Sequence, residues 1–264
     1  MSDFVTPVLL AQVLSAVAEA GELIRDARNR PKKITLKGRI DLVTETDVAV
    51  EKLLKERLAP ILPDADFMAE ESAESYEPGD LTWIIDPLDG TTNFAHDLPM
   101  VAISVGLWRQ GSVELGVVSI PVLDETFYAV RGEGAFLNGD PIRVTATDEP
   151  VNALVATGFP YSVAEDVDQI TAALSRVLPA TRGVRRMGAA AVDLAYTACG
   201  RLDAFYEMHL KPWDTAAGWL LVEEAGGMVT RFDGTTPYTP GAEDILVTNG
   251  QLHSMLSQLV VGRD

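Results

Sequence analysis

The chain is poor in the residues that most often announce a function. It has one cysteine, Cys199, in 264 residues, which excludes an internal disulfide and fits a reducing compartment. Cys199 lies among Ala and Gly at the end of an apolar helical stretch, where a thiol reads as a small core filler. Only three histidines occur, His96, His209 and His253, and their spacing suits no zinc site. They read as structural or surface residues, with His96, near an acidic loop, the one placed to touch a substrate. Basic residues are scarce: 21 Lys+Arg against 39 Asp+Glu leave a net charge of −18. Such a field repels nucleic acid, anionic membrane and, equally, a phosphate-bearing ligand unless cations act locally. No run reads as long enough to span a membrane, and Met1-Ser2-Asp3-Phe4 lacks a basic targeting start, so the expected location is cytoplasmic. A G-x-S-x-G elbow, a Walker loop and a Rossmann glycine pattern are all missing, which removes serine hydrolase, P-loop NTPase and dehydrogenase readings.

What is present is carboxylate in a patterned setting. With 47% hydrophobic and 23% charged residues, the chain has ample core for one large domain or two packed lobes. Its most informative stretch is Trp83-Ile84-Ile85-Asp86-Pro87-Leu88-Asp89-Gly90-Thr91-Thr92-Asn93-Phe94. Trp83 to Ile85 reads as a buried strand that delivers Asp86 to its carboxyl end, and Pro87, which cannot donate to a ladder, is expected to stop the pairing. The turn brings Asp89 back beside Asp86, and two such close anions need a proton or a cation between them. Hard oxygen ligands suit Mg²⁺ or Mn²⁺ rather than zinc. Gly90-Thr91-Thr92 reads as a helix start with free amides, an anion site. The same string is also compatible with plain turn chemistry; three further acid-bearing stretches tip the balance.

Taken in order, Pro7 to Arg28 carries Leu10, Val13, Leu14, Val17 and Ile24 at helical spacing. A basic patch follows at Arg25, Arg28, Arg30, Lys32, Lys33, Lys37 and Arg39, either a solvated face or a contact for RNA or a phosphate. Asp41-Leu42-Val43-Thr44-Glu45-Thr46-Asp47 is expected to open a second helix, in which Asp and Thr could act only as caps. Phe67-Met68-Ala69 reads as a strand ending in Glu70-Glu71, so two strands would end in acids at one site. Residues 101 to 130 give three strands of an antiparallel sheet, with turns at Gly132-Glu133-Gly134-Ala135 and Asn138-Gly139-Asp140-Pro141. The polar stretch Thr145 to Pro150 marks the boundary between lobes 1–145 and 146–264. The second lobe alternates strand and helix. There, Asp214 opens a helix running to Gly226-Gly227, and Arg185-Arg186-Met187-Gly188 precedes another helix start. Asp214 reads as a ligand or an N-cap, and the arginines as anion contacts or surface ion-pair partners.

Together, Ala69-Glu70-Glu71-Ser72, the Trp83–Phe94 stretch and Trp213-Asp214 with Ala225-Gly226-Gly227 downstream resemble the inositol monophosphatase family, Mg²⁺-dependent and lithium-sensitive phosphatases, in its SuhB-type bacterial branch. The resemblance covers nearly the whole chain. It implies an α+β fold, the layered αβαβα sandwich of the inositol monophosphatase and fructose-1,6-bisphosphatase type, usually a homodimer. By motif, Glu70, Asp86, the Leu88 carbonyl, Asp89 and Asp214 would hold up to three Mg²⁺, with Mn²⁺ a possible substitute. Thr91, held by Asp47, would orient the attacking water with Glu70. The Gly90 and Thr91 amides would hold phosphate, while Gly188, Ala189, Ala190 and Glu207, with Asp89 and Asp214, would face the alcohol. The implied reaction is hydrolysis of a small phosphate ester, foremost myo-inositol monophosphate. Ala189 stands where relatives often carry Ser or Thr, which leaves fructose-1,6-bisphosphatase or another sugar or nucleotide phosphatase open. Thr92, where histidinol-phosphate relatives carry Lys, speaks against that branch. A regulatory role with RNA or the transcription machinery is the alternative from another class, and charge makes nucleic acid the lesser partner.

Overall fold

The computed structural model describes residues 4–28, 30, 34–36, 42–75 and 77–262. The helices are α1 (Pro7–Arg28), α2 (Glu45–Leu58), α3 (Thr91–Ala95), α4 (Val163–Ala180), α5 (Ala190–Ala198), α6 (Pro212–Glu224) and α7 (His253–Val261). A short ribbon pairs β1 (Ile34–Leu36) with β2 (Leu42–Thr44). A seven-stranded sheet then runs in sequence order: β3 (Asp66–Ala69), β4 (Leu81–Asp89), β5 (Ala102–Arg109), β6 (Ser112–Ile120), β7 (Glu125–Val130), β8 (Gly134–Leu137) and β9 (Asp140–Ile142). The remaining strands are β10 (Leu154–Thr157), β11 (Gly183–Arg185), β12 (Ala204–Met208), β13 (Met228–Thr230) and β14 (Asp244–Thr248). They form a mixed five-stranded sheet in the order β11-β10-β12-β14-β13.

Side-chain alternation along the strands explains the layering. On β4, Trp83 and Ile85 face α1 and α2, whose Val13, Val17, Ile24, Val50 and Leu54 complete one core. Ile84 between them faces the opposite side, toward α5 and α6. The five-stranded sheet repeats the rule: Ala156, Phe205, Ile245 and Val247 meet α5 and α6, while Val155, Ala204, Tyr206 and Leu246 meet α4 and α7. The result is the expected αβαβα sandwich, with α5 and α6 as its central layer. Glycines let that layer close. A Cβ on Gly116 would stand 2.6 Å from the Ala217 carbonyl oxygen, and one on Gly106 would stand 3.0 Å from the Ala216 Cβ. A bidentate pair from Arg201 to Glu125, at 2.6 and 2.7 Å, ties the end of α5 to β7.

Four expectations are corrected by the structure. Pro87 does not end its strand: β4 continues to Asp89, and the register against β5 slips between Asp86 and Asp89. A bulge is where a strand tolerates proline. Leu42 to Thr44 is a strand, and α2 begins only at Glu45 with Thr44 as its N-cap. The turns at 132–135 and 138–141 carry short strands, β8 and β9. Finally, α1 is a single helix of 22 residues, long and apolar enough by length and composition to cross a bilayer. Its stripe from Leu9 to Ile24 is buried against α2 and the sheet, as in a core helix. In the basic patch, Arg25 donates to the Pro121 carbonyl and Asp124, Arg28 donates to the Asp97 carbonyl, and Arg30 lies 3.7 Å from Asp26. Lys32, Lys33, Lys37, Arg39 and Asp41 lie outside the described residues.

Candidate active site

The alternation that builds the core also gathers the acids. On β3, Met68 faces α5 and α6, so Glu70, two residues on, continues along the same face. On β4, Asp86 follows Ile84 in the same way. Parallel pairing brings the two together, with the Glu70 amide donating to the Ile85 carbonyl at 3.1 Å. Opposite Asp86 on β5 stands Ser104, whose hydroxyl donates to the Trp213 carbonyl at 3.0 Å. That bond pins the start of α6, and with it Asp214, beside the end of β4. From the other sheet Glu207 follows Phe205 onto the inner face of β12. The ends of both sheets therefore meet the starts of α5 and α6.

Each side chain is held by local chemistry. Asp86 Oδ1 accepts the Leu88 N–H at 2.9 Å, so turn chemistry operates here as well. Gly90, at φ +88°, opens α3, and a Cβ there would meet the Met100 carbonyl at 2.8 Å and Ala189 at 3.2 Å. Asp89 Oδ2 accepts the Ala191 N–H at 2.7 Å, joining β4 to the first turn of α5. Asp214 Oδ2 accepts the Lys211 N–H at 2.7 Å, so Asp214 belongs to the first turn of α6 rather than to its N-cap. Asp47, fully buried, serves two partners: Oδ2 accepts the Thr44 N–H at 2.9 Å in a capping box, and Oδ1 accepts the Thr91 hydroxyl at 3.0 Å. The Leu88 carbonyl also lies 3.2 Å from Thr91 Oγ1. Gly188, at φ +85°, turns the chain before Ala189 and Ala190, both buried beside the Asp89 turn.

The electrostatics are dominated by like charge. Burial pushes the Asp86 carboxyl well above the usual carboxylate range, and Glu70, Asp89 and Asp214 push it further. Burial first, then Asp89, Glu70 and Glu207, do the same to Asp214. Asp89 rises to about 6 through burial, held back by the Ala191, Ala190 and Gly90 amides and by Arg186. Burial raises Glu207 to about 8 against the pull of Arg186. Among the described residues no three His, Cys, Asp or Glu side chains form a closed cation cage as they stand. Yet four acids, Glu70, Asp86 and Asp89 from the ends of β3 and β4 and Asp214 from α6, lie in each other's field, and their hard oxygen donors fit Mg²⁺ or Mn²⁺.

Some residues escaped the sequence reading. Asn93 Nδ2 donates to the Met100 carbonyl at 2.7 Å and the Met187 carbonyl at 2.9 Å, fastening the Gly188 turn to α3. Gly158 lies under Glu207, where any Cβ would overlap its carboxylate. Asp193 is buried, with Oδ1 unpaired and its carboxyl raised well above the usual range by burial, Glu207 and Asp89. Its place at i+3 from Ala190 marks it as inward-facing, a signal available in the sequence. Of the arginines, Arg185 donates to the Val184 carbonyl and Arg186 lies over the Phe159 ring, and neither is in an ion pair among the described residues. His253 bridges the Thr230 and Thr248 hydroxyls inside the core, and His209 lies 3.5 Å from Asp166. His96 caps the end of α3, exposed. A surface cleft of about 550 Å³ between α4 and α7 lies apart from these acids.

The sequence model of the inositol monophosphatase family matches residues 6–263. This chain belongs to that family. Among inositol monophosphatase relatives, the tomato (Solanum lycopersicum) "Inositol monophosphatase 2" is 43% identical over 246 residues, covering 90% of this chain and 92% of its own. "Nus factor SuhB" of Pseudomonas aeruginosa is 43% identical over 234 residues, 86% of each chain. The crystal structure of the Bartonella henselae extragenic suppressor protein suhB superposes with a TM-score of 0.92 at 35% identity, covering 97% of this chain and all of that one. Membership in the inositol monophosphatase family makes this chain a phosphatase of the hydrolase class.

Proposed function

We propose that the chain is a Mg²⁺-dependent phosphomonoesterase that hydrolyses myo-inositol monophosphate to inositol and phosphate. The observation that carries this reading is the convergence of Asp86 with Glu70, Asp89 and Asp214, brought together from the ends of the neighbouring strands β3 and β4 and the first turn of α6. Glu70, Asp86, the Leu88 carbonyl, Asp89 and Asp214 are the residues that would hold up to three Mg²⁺. Bound there, the metal supplies charge neutralisation for a phosphate dianion and lowers the pKa of water. Lobe 1–145 contributes most of these donors, and lobe 146–264 adds Asp214 and the alcohol pocket.

The chain's own residues do the rest. Because the Thr91 hydroxyl donates to Asp47 Oδ1, its oxygen keeps lone pairs free to accept a hydrogen bond from water, with Glu70 as the second acceptor. That orients a water lone pair toward phosphorus: a new O–P bond forms and the ester P–O bond breaks, while the attacking water gives up one proton to solvent and the leaving oxygen takes one from solvent. The Gly90 and Thr91 amides hold the phosphate oxygens. Asp89, Asp214, Glu207, Gly188, Ala189 and Ala190 surround the alcohol. No protein nucleophile is needed, since positioning and electrostatics carry this reaction.

The proposed setting is a cytoplasmic homodimer, and fructose 1,6-bisphosphate is the next substrate to compare. The second reading, a regulatory contact with RNA or the transcription machinery, is favoured by the similarity to a Nus factor. It is weakened by the charge of −18 and by the engagement of Arg25, Arg28 and Arg30 within the chain. The test is phosphate release from myo-inositol 1-phosphate and a panel of sugar and polyol phosphates. Release that requires Mg²⁺, stops with EDTA and is suppressed by lithium is expected. No release from any ester of the panel would defeat the proposal.

A further inference from the structure

Asp47, Glu51 and Lys55 recur at four-residue intervals on α2 and so share one helix face. Asp47 reaches Thr91. One turn on, Glu51 is 5% exposed and holds a different part of the site. Its Oε2 accepts the Glu71 N–H at 2.8 Å. Its Oε1 accepts the Ser72 hydroxyl and the Lys55 ammonium, the latter at 3.0 Å. Lys55 in turn donates to the Ser72 hydroxyl. The segment so gripped is the turn after β3, whose Ser72 and Ala73 amides also close onto the Ala69 carbonyl at 3.1 and 2.7 Å. Glu70 is carried on that turn.

The Glu51–Lys55 ion pair, buried on the Glu51 side and 31% exposed on the Lys55 side, is a weak device for fold stability. Its use here is geometric: every acceptor of Glu51 is aimed at the segment bearing Glu70. We propose that Glu51 is a positioning residue for Glu70, so that a single face of α2 sets Thr91 through Asp47 and Glu70 through Glu51. The proposal rests on the reading of Glu70 as a cation ligand. It makes α2 the common ruler for the two groups that flank the attacking water.

The experiment compares Glu51→Ala, Glu51→Gln and, as a control on the same helix, Arg57→Ala, which breaks only the exposed pair with Glu19. Mg²⁺ affinity is read by calorimetry, and exchange protection of the Glu71 and Ser72 amides by NMR or mass spectrometry. Glu51→Ala is expected to weaken Mg²⁺ binding about 10–100-fold, the usual cost of losing an outer support of a metal ligand, and to unprotect the Glu71 amide. Glu51→Gln keeps an acceptor for that amide and is expected to retain affinity within about 5-fold. Arg57→Ala leaves both readouts unchanged. If Glu51→Ala does not fold, Glu51→Asp carries the test by shortening the reach while keeping the charge. Wild-type affinity in the folded Ala or Asp variant would overturn the proposal. Failure of the wild-type protein itself to bind Mg²⁺ would instead refute the metal-dependent reading on which it rests.

Discussion

Asp86→Asn is expected to lower the rate of phosphate release at least ~10³-fold, equivalent to about 4 kcal/mol of transition-state stabilisation, while raising the melting temperature of the metal-free protein. The two effects have one cause. Asp86 is 2% exposed and stands in the field of Glu70, Asp89 and Asp214, so its negative charge opposes folding until a cation offsets it. Asparagine removes the charge and keeps an oxygen that can accept the Leu88 N–H, now at 2.9 Å. Relief of a buried like charge is worth about 1–2 kcal/mol, or roughly 2–8 °C in a chain of this size. The same substitution deprives the cation site of its most central donor. A residue serving only turn chemistry would show neither change. Loss of both activity and stability would mean that Asp86 is a structural acid.

The second large effect couples Mg²⁺ to pH. Asp86, Asp89 and Asp214 are raised in the folded protein, with Asp89 at about 6, and Glu207 is raised to about 8. Their unfolded values are about 3.9 for Asp and 4.3 for Glu. Between those values and about pH 8 the folded state binds more protons than the unfolded chain, so stability falls as pH rises through the window. The metal-free protein is therefore expected to melt lower at pH 8 than at pH 5. Mg²⁺ competes with those protons, so it should stabilise little at pH 5 and strongly at pH 8. At 100 times its dissociation constant the gain is about 2.7 kcal/mol, or roughly 5–10 °C. Thermal melts with Mg²⁺ and with EDTA at both pH values measure this. A shift of equal size at the two pH values would sever the link between the raised acids and the cation.

What could be read from the sequence follows the range of the forces involved. Strand alternation is local, so the two-residue spacing of Ile84 and Asp86 is enough to put them on a common face. The helix that carries Asp214 was legible for the same reason, with Gly226-Gly227 as its stop, but it opens at Pro212, two residues before Asp214, so Asp214 sits in its first turn and not at its cap. Pro87 misled because its missing donor is a local fact, whereas the bulge that accommodates it depends on β5. Glu51 was overlooked because its partners, Glu71 and Ser72, are 20 and 21 residues away and only the packing of α2 brings them near. Gly158 carried no local sign at all: before Phe159-Pro160 it reads as a turn residue, and its real task is to leave room for Glu207. Asn93 was in plain view inside the central stretch, but its two carbonyl partners are 7 and 94 residues away.

The most direct measurement is a crystal soaked or grown with Mn²⁺ and examined by anomalous diffraction. Peaks bounded by Glu70, Asp86, the Leu88 carbonyl, Asp89 and Asp214, with oxygen ligands at about 2.1 Å, are expected. A protein that hydrolyses its ester yet shows cation density only elsewhere, or none at saturating Mn²⁺, would contradict the claim that these acids act together as a cation trap.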